Sequence, residues 1–296
     1  MIETHGLTKY YGKTRGIENL NLKVNSGEIF GFLGPNGSGK TTTIRLLMDF
    51  IRPSSGHAEI FGLDAHVRAL DARYNIGNVS SDVALFESLS GHKNLDLTDS
   101  LFGRQTHERR RELADRLQVD LSRPIKTLSR GNKQKVALIQ ALAHDPDLLI
   151  LDEPTGGLDP FIQLEFLDIL REQRSKGKTV FFSSHLLPEV ERICDRVGIL
   201  RNGLLVAVEQ VAELAYKKTR RMEVTLVFDQ NWPTDFEIEG VKVVSSEGSF
   251  AELTVSGTLQ PLLARLGTLK VENLVFPEAT LEDTFMAYYD DEDTTA

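Results

Sequence analysis

An apolar run, Ile29-Phe30-Gly31-Phe32-Leu33, opens into Gly34-Pro35-Asn36-Gly37-Ser38-Gly39-Lys40-Thr41-Thr42 and then into a helical stretch. Gly34 to Thr41 fit G-x-x-x-x-G-K-[ST], and strand, loop and helix in that order are the setting the pattern requires. Glycines let the backbone wrap closely round an anion, so that several N–H groups face phosphate oxygens. The helix start adds its positive dipole end. Lys40 is placed as a point charge for the outer phosphates, and the Thr41 hydroxyl as a ligand for Mg²⁺.

A second segment predicts that the nucleotide is hydrolysed. Leu148-Leu149-Ile150-Leu151 reads as a strand buried on both faces, and it ends in Asp152-Glu153. Ligands of parallel α/β sheets gather at the carboxyl ends of strands, so the tandem acids are expected beside the phosphate loop. Asp152 suits the Mg²⁺ shell opposite Thr41. Glu153 faces elsewhere and suits the role of general base toward water. The turn-rich Pro154-Thr155-Gly156-Gly157-Leu158-Asp159-Pro160 follows and keeps the carboxylates accessible.

Some twenty residues earlier stands Leu128-Ser129-Arg130-Gly131-Asn132, with Ser129 a candidate N-cap for an amphipathic helix through Val136, Ile139 and Leu142. This stretch resembles the signature loop of ATP-binding cassette (ABC) ATPases, with Arg130 where the family usually has Gly and Asn132 where it has Gln. In the same order, Gly157-Leu158-Asp159 is similar to the D-loop. His185, after Thr179-Val180-Phe181-Phe182-Ser183-Ser184, is similar to the switch histidine. Tyr11, in Lys9-Tyr10-Tyr11-Gly12, is similar to the aromatic that stacks on adenine. The resemblance covers residues 1 to about 215. One element departs from it. Where the family usually carries a glutamine after a strand like Tyr74–Val79, this chain has Ser81 followed by Asp82, and Ser81 is too short for the same direct contact with metal and water.

The resemblance implies an α/β fold: a P-loop NTPase core of ABC ATPase type with an antiparallel β subdomain and a helical subdomain at about 85–143. It also implies the mechanism. Residues Gly34 to Thr42 hold ATP, Tyr11 stacks on the base, and Mg²⁺ sits between Thr41 and Asp152. Glu153, His185 and Lys40 serve catalysis. Ser129, Arg130, Gly131 and Asn132 close the site from the opposite subunit of a head-to-tail dimer. The partners implied are integral-membrane permease subunits and a second copy or a paralogous ATPase, at the inner face of the cell membrane, with a weak bias toward export. Two other readings stay open: a soluble ABC ATPase outside transport, and a regulatory module with little turnover, to which Ser81 lends some support.

Composition bears on what surrounds this core. The 296 residues predict about two domains, and 41% hydrophobic residues suffice for real cores. No run approaches the ~18 apolar residues of a membrane span. The start, Met1-Ile2-Glu3-Thr4-His5, lacks the form of a secretory signal, so none is expected. A net charge of −9 argues against nucleic acid as main partner. The run Arg109-Arg110-Arg111 with Arg116, interrupted by Glu108, Glu112 and Asp115, reads as a solvated helix face. The lone Cys194, in a helix expected over Pro188–Arg196, reads as a small packing residue.

Strands are expected at Ile2–Lys9, Gly16–Val24, Glu28–Leu33, Ala58–Phe61, Tyr74–Val79 and near 148–152, 179–183 and 196–208, the last turning at Asn202-Gly203. A helix is expected from Lys40 to about Met48. From residue 216 the pattern changes to a small α+β appendage. Strands are expected at Arg221–Phe228 and near 236–245, 250–255 and 269–276. Helices are expected at Leu259–Leu266 and Leu281–Tyr289, and Trp232 is expected to pack a loop. An acidic tail, Asp290-Asp291-Glu292-Asp293, ends it. No catalytic constellation is legible there.

Overall fold

Three stretches of β-branched, aromatic and leucine residues, each buried throughout, make the centre of the fold: β3, β7 and β8 below. The computed structural model describes residues 1–276 apart from 104, 217–219, 229 and 256; the expected helix 281–289 and the acidic tail lie outside the described residues. In chain order the strands are β1 (Ile2–Tyr11), β2 (Thr14–Val24), β3 (Ile29–Leu33), β4 (Ser55–Ile60), β5 (Leu63–Asp64), β6 (Ile76–Val79), β7 (Leu148–Asp152), β8 (Thr179–Ser184), β9 (Arg196–Arg201), β10 (Leu204–Gln210), β11 (Arg220–Leu226), β12 (Val241–Glu247), β13 (Phe250–Val255) and β14 (Val271–Val275). The helices are α1 (Lys40–Leu47), α2 (Ala69–Arg73), α3 (Gly91–Phe102), α4 (His107–Arg116), α5 (Arg130–Ala143), α6 (Pro160–Ser175), α7 (Leu187–Ile193), α8 (Val211–Tyr216) and α9 (Gln260–Leu266). The chain divides into two compact units, Met1–Val211 and Ala212–Ala296.

In the first unit a six-stranded sheet runs β10-β9-β3-β8-β7-β6. Its β9, β3, β8, β7 and β6 are mutually parallel, and β10 closes one edge antiparallel to β9. Strands with helices on both faces must be apolar all round. β3, β7 and β8 are buried at every position, and Phe181 stacks with Phe30 at a ring distance of 6.0 Å and meets Phe32 at a tilt at 5.2 Å. The turn between β9 and β10 has Asn202 and Gly203 at φ 48° and 81°, the two left-handed residues of a type I′ hairpin. A separate antiparallel sheet, β2-β1-β4-β5, alternates instead: Ile2 and Thr4 are buried while Glu3 and His5 face out.

Three sequence expectations need correction. The arginine run of α4 is a solvated face only in part: Glu108, Arg111, Glu112 and Asp115 are exposed, but Arg110 and Arg116 turn to partners in the fold. Arg110 is only 3% exposed and donates to Asp96 Oδ1 (2.7 Å), Thr106 Oγ1 (2.7 Å) and the Leu95 carbonyl (2.6 Å), with Asp99 as a further ion-pair partner. Arg116 reaches α6, donating to Glu165 (2.5 Å) and Glu172 (2.7 and 2.8 Å). Long side chains carried this helix's charge to partners on other elements, which a sequence window does not see. Next, the expected strand 236–245 begins only at Val241, because Phe236 turns inward to pack on Trp232 at 4.7 Å. Finally, α7 ends at Ile193, and Arg196 already belongs to β9.

Cys194 caps that short helix and packs against Gly31, where a Cβ would lie 3.0 Å from its sulfur. Burial, with Asp195 and Glu189 adding to it, raises the thiol well above its ordinary pKa. A neutral, enclosed thiol is a poor nucleophile. In native protein at neutral pH, Cys194 is therefore expected to resist a thiol-titrating disulfide reagent, reacting stoichiometrically only in denaturant. Rapid native labelling would contradict the packing.

The second unit holds one four-stranded antiparallel sheet, β12-β13-β11-β14, and α9. Its core is Met222, Val224, Leu226, Trp232, Phe236, Ala251, Leu253, Val255, Leu262 and Leu266. Trp232 is 8% exposed, a packing residue as its apolar body dictates.

Candidate active site

The phosphate loop leaves β3 at Leu33 and enters α1 at Lys40. Gly39, the residue before the helix, has φ 112°, and a Cβ there would lie 2.6 Å from the Gly16 carbonyl oxygen, so no other residue type fits. That close approach seats the loop on β2. Ser38 is buried, and its Oγ has no hydrogen-bond partner. A buried hydroxyl so placed, in a loop of this shape, fits a phosphate oxygen as its missing partner. Lys40 is 5% exposed; its Nζ donates to the Gly34 carbonyl (2.5 Å) and the Pro35 carbonyl (3.2 Å) and lies 3.2 Å from Glu153 Oε1.

The tandem acids occupy the end of β7, paired with β8. Register sets Asp152 opposite Ser183, whose Oγ donates to Asp152 Oδ1 at 2.7 Å. The same Oγ accepts from the Glu153 backbone N–H at 3.1 Å. Asp152 is 1% exposed, and Glu153 adopts the left-handed backbone at φ 49°, a conformation that costs a non-glycine residue on the order of 1–3 kcal/mol. The turn sends the two carboxylates in different directions. Glu153 Oε2 lies 2.5 Å from Nδ1 of His185, just beyond β8, so the Glu153 carboxylate is bridged by Lys40 on one oxygen and His185 on the other.

Two adjoining cavities, each of about 250 Å³, meet at Glu153. Tyr11, Arg15, Gly16, Asn36, Gly37 and the residues from Gly39 to Thr42 line the first. Asn36, Thr41, Ser81, Arg130, Gln134 and Gly156 line the second. Ser81 thus faces the same space as Thr41 and Glu153, as the position of the missing glutamine demands. Thr41 and Asp152 offer hydroxyl and carboxylate oxygens, the hard donors that Mg²⁺ takes.

The signature stretch is built as an N-cap. Ser129 Oγ accepts from the Asn132 N–H at 3.3 Å and starts α5 at Arg130. A Cβ on Gly131 would lie 2.4 Å from the Gly157 carbonyl, so this glycine lets the signature helix touch the turn after the tandem acids. Asp159 caps α6 by accepting from Ile162 N–H at 3.1 Å. The structure brings Lys40, Thr41, Asp152, Glu153 and His185 to one end of the parallel sheet. Ser129 and Asn132 are not among the residues lining either cavity, whereas Arg130 is.

Two site residues escaped the sequence reading. Ser183 holds both tandem acids through the pairing of β8 with β7, which no sequence window shows. Gln134, 6% exposed, donates to the Pro154 carbonyl at 2.8 Å and lines the second cavity.

A glycine loop on a helix start, with tandem acids at the carboxyl edge of the same parallel sheet, defines a P-loop nucleotide hydrolase. The family model for the ABC transporter matches residues 17–156. The bacitracin transport ATP-binding protein BcrA of Bacillus licheniformis is 32% identical over 97% of this chain and 96% of its own length. The daunorubicin/doxorubicin resistance ATP-binding protein DrrA of Streptomyces peucetius is 36% identical over 72% of this chain and 66% of its own. Among solved structures, the dimeric MJ0796, a bacterial ABC transporter cassette, is similar with a TM-score of 0.66 at 26% identity, covering 71% of this chain and 99% of that one. The chain belongs to the ABC transporter family, as an ATP-binding and ATP-hydrolysing subunit.

Proposed function

We propose that this subunit powers export of an antibiotic or similar compound through a separate integral-membrane permease, as a peripheral subunit at the inner face of the cell membrane. No helix among the described residues is long and apolar enough to cross a bilayer, and in this reading the permease supplies the path for cargo. The bacitracin-transport and drug-resistance relatives support the cargo class. The dimeric cassette supports closure of two copies, or of this chain with a related ATPase.

The observation that carries the mechanism is the double bridge on Glu153. The Lys40 ammonium and the His185 ring are groups a terminal phosphate seeks, and both are engaged with the residue suited to be the base. Phosphate oxygens entering the loop compete for both, and the released carboxylate then turns to a water molecule as general base. Thr41 and Asp152 would hold Mg²⁺, which supplies charge stabilisation on the phosphate oxygens. Tyr11 stacks on the adenine. Ser129, Arg130, Gly131 and Asn132 approach from the opposite subunit, so hydrolysis waits for closure and the cycle moves the permease.

The test is ATP turnover by the purified chain, alone and reconstituted in vesicles with the membrane protein that co-purifies with it. Turnover that rises with the permease and with its cargo is expected. Unchanged turnover on reconstitution would remove the coupling.

A further inference from the structure

The outward face of the antiparallel sheet carries a group of side chains that ATP hydrolysis does not use. On β1, Glu3 and His5 point away from the core; on β4, His57 and Glu59 do the same. The antiparallel register sets His5 directly opposite His57 and Glu3 directly opposite Glu59. The two imidazoles stack with ring centres 4.8 Å apart. One ligand atom each from His5, His57 and Glu59 falls within 4.8 Å of the others.

We propose that His5, His57 and Glu59 form a binding site for a divalent transition-metal ion of the zinc, nickel or copper class. Two imidazoles and a carboxylate are the donors such ions select, whereas Mg²⁺ prefers an octahedron of oxygens. A tetrahedral ion bonded at 2.0–2.1 Å needs its donors roughly 3.3 Å apart. The present spacing therefore closes by about 1.5 Å through χ rotation, which exposed side chains make freely. Glu59 already turns toward the pair, its Oε1 lying 3.8 Å from His57 Nε2. Glu3 is 3.9 Å from His5 Nε2 but is held at 2.7 Å by Lys23, so it stays outside the ligand set.

The backbone pre-sets the site. Gly6 and Gly56 flank the histidine pair with φ of 57° and 73°, and a Cβ on Gly56 would lie 2.2 Å from the Gly6 carbonyl oxygen. The two strands are pinched together at this point, closer than any side chain would allow. The pinch fixes the backbone spacing between His5 and His57, so only side-chain rotation is left for the metal to order. A bound ion clips β1 to β4, and β1 is the strand that ends at Tyr11 beside the phosphate loop.

The measurement is Zn²⁺ binding to the full chain in chelator-treated buffer, read by competition with a chromophoric zinc indicator. His5→Ala and His57→Ala are each expected to weaken the tightest site by at least the ~10- to 100-fold that even an outer-shell change costs. His66→Ala removes an exposed histidine that pairs with Asp49 elsewhere on the surface, and it is expected to leave that site unchanged. At a hundredfold excess over Kd, zinc is expected to raise the melting midpoint of the wild type by roughly 5–10 °C. In the His5→Ala/His57→Ala double variant, that rise is expected to be absent. The proposal is overturned if the wild type binds no zinc, or if the double variant binds and is stabilised by zinc as the wild type is.

Discussion

Glu153→Gln is expected to slow ATP hydrolysis by about 10²- to 10⁴-fold, the range assigned to a positioned general base. ATP binding should survive, because the amide keeps the size and backbone of the carboxylate and Lys40 remains in the loop. The closed dimer should accumulate in consequence, visible as a doubled mass on size-exclusion chromatography with Mg²⁺-ATP. The structure adds a second effect. Glu153 faces the Lys40 ammonium at 3.2 Å and His185 Nδ1 at 2.5 Å, and a neutral glutamine holds neither as strongly. The terminal phosphate then meets less competition for both, so the nucleotide is expected to bind more tightly than to the wild type. Single-turnover phosphate release and equilibrium nucleotide binding separate the two effects. Normal steady-state turnover would take the base role away from Glu153, and weakened binding would take away the competition.

The site and the fold differed in how far the sequence disclosed them, and the reason is physical. Loop and tandem acids were legible because each sits on a strand buried along its whole length, which shows as an unbroken apolar run with chemistry at its end. Their meeting point followed from one rule about parallel sheets. Ser183 stayed hidden because its role depends on register: only when β8 lies beside β7 does its hydroxyl face Asp152. Gln134 stayed hidden for a similar reason, since a polar residue on a helix's inner face declares nothing until the facing turn, here the Pro154 carbonyl, is known. In the antiparallel sheet, alternation announced β1 and β2, but nothing in the sequence set His5 across from His57, fifty-two positions on. The arginine run was legible only in part. Composition counts Arg110 as a charge, and charges are expected in water, yet its partners lie one helix away on α3 and at the start of α4.

Arg110→Met is expected to destabilise the fold strongly although it lies outside the nucleotide site. The guanidinium is 3% exposed and joins α4 to Asp96, Asp99 and the Leu95 carbonyl of α3. Methionine fills much of the volume but leaves Asp99, which is 13% exposed, without its cation. Stranding a buried charge in this way costs about 3 kcal/mol, toward the low end of the range for buried pairs because Asp96 keeps its water. For a unit of this size the melting midpoint should fall by roughly 6–12 °C. Acid provides the internal check. Burial pushes the Asp99 pKa up, but Arg110 and Thr106 outweigh it and hold the carboxyl below its ordinary value. A carboxylate lowered on folding contributes in full above its unfolded pKa and loses that contribution as pH falls through the lowered value. The gap in midpoint between wild type and Arg110→Met should therefore be widest at neutral pH and shrink below about pH 4. A gap that stays constant through that range would assign the loss to packing alone, and Arg110 would then be a spacer between α3 and α4, with no electrostatic part in joining them.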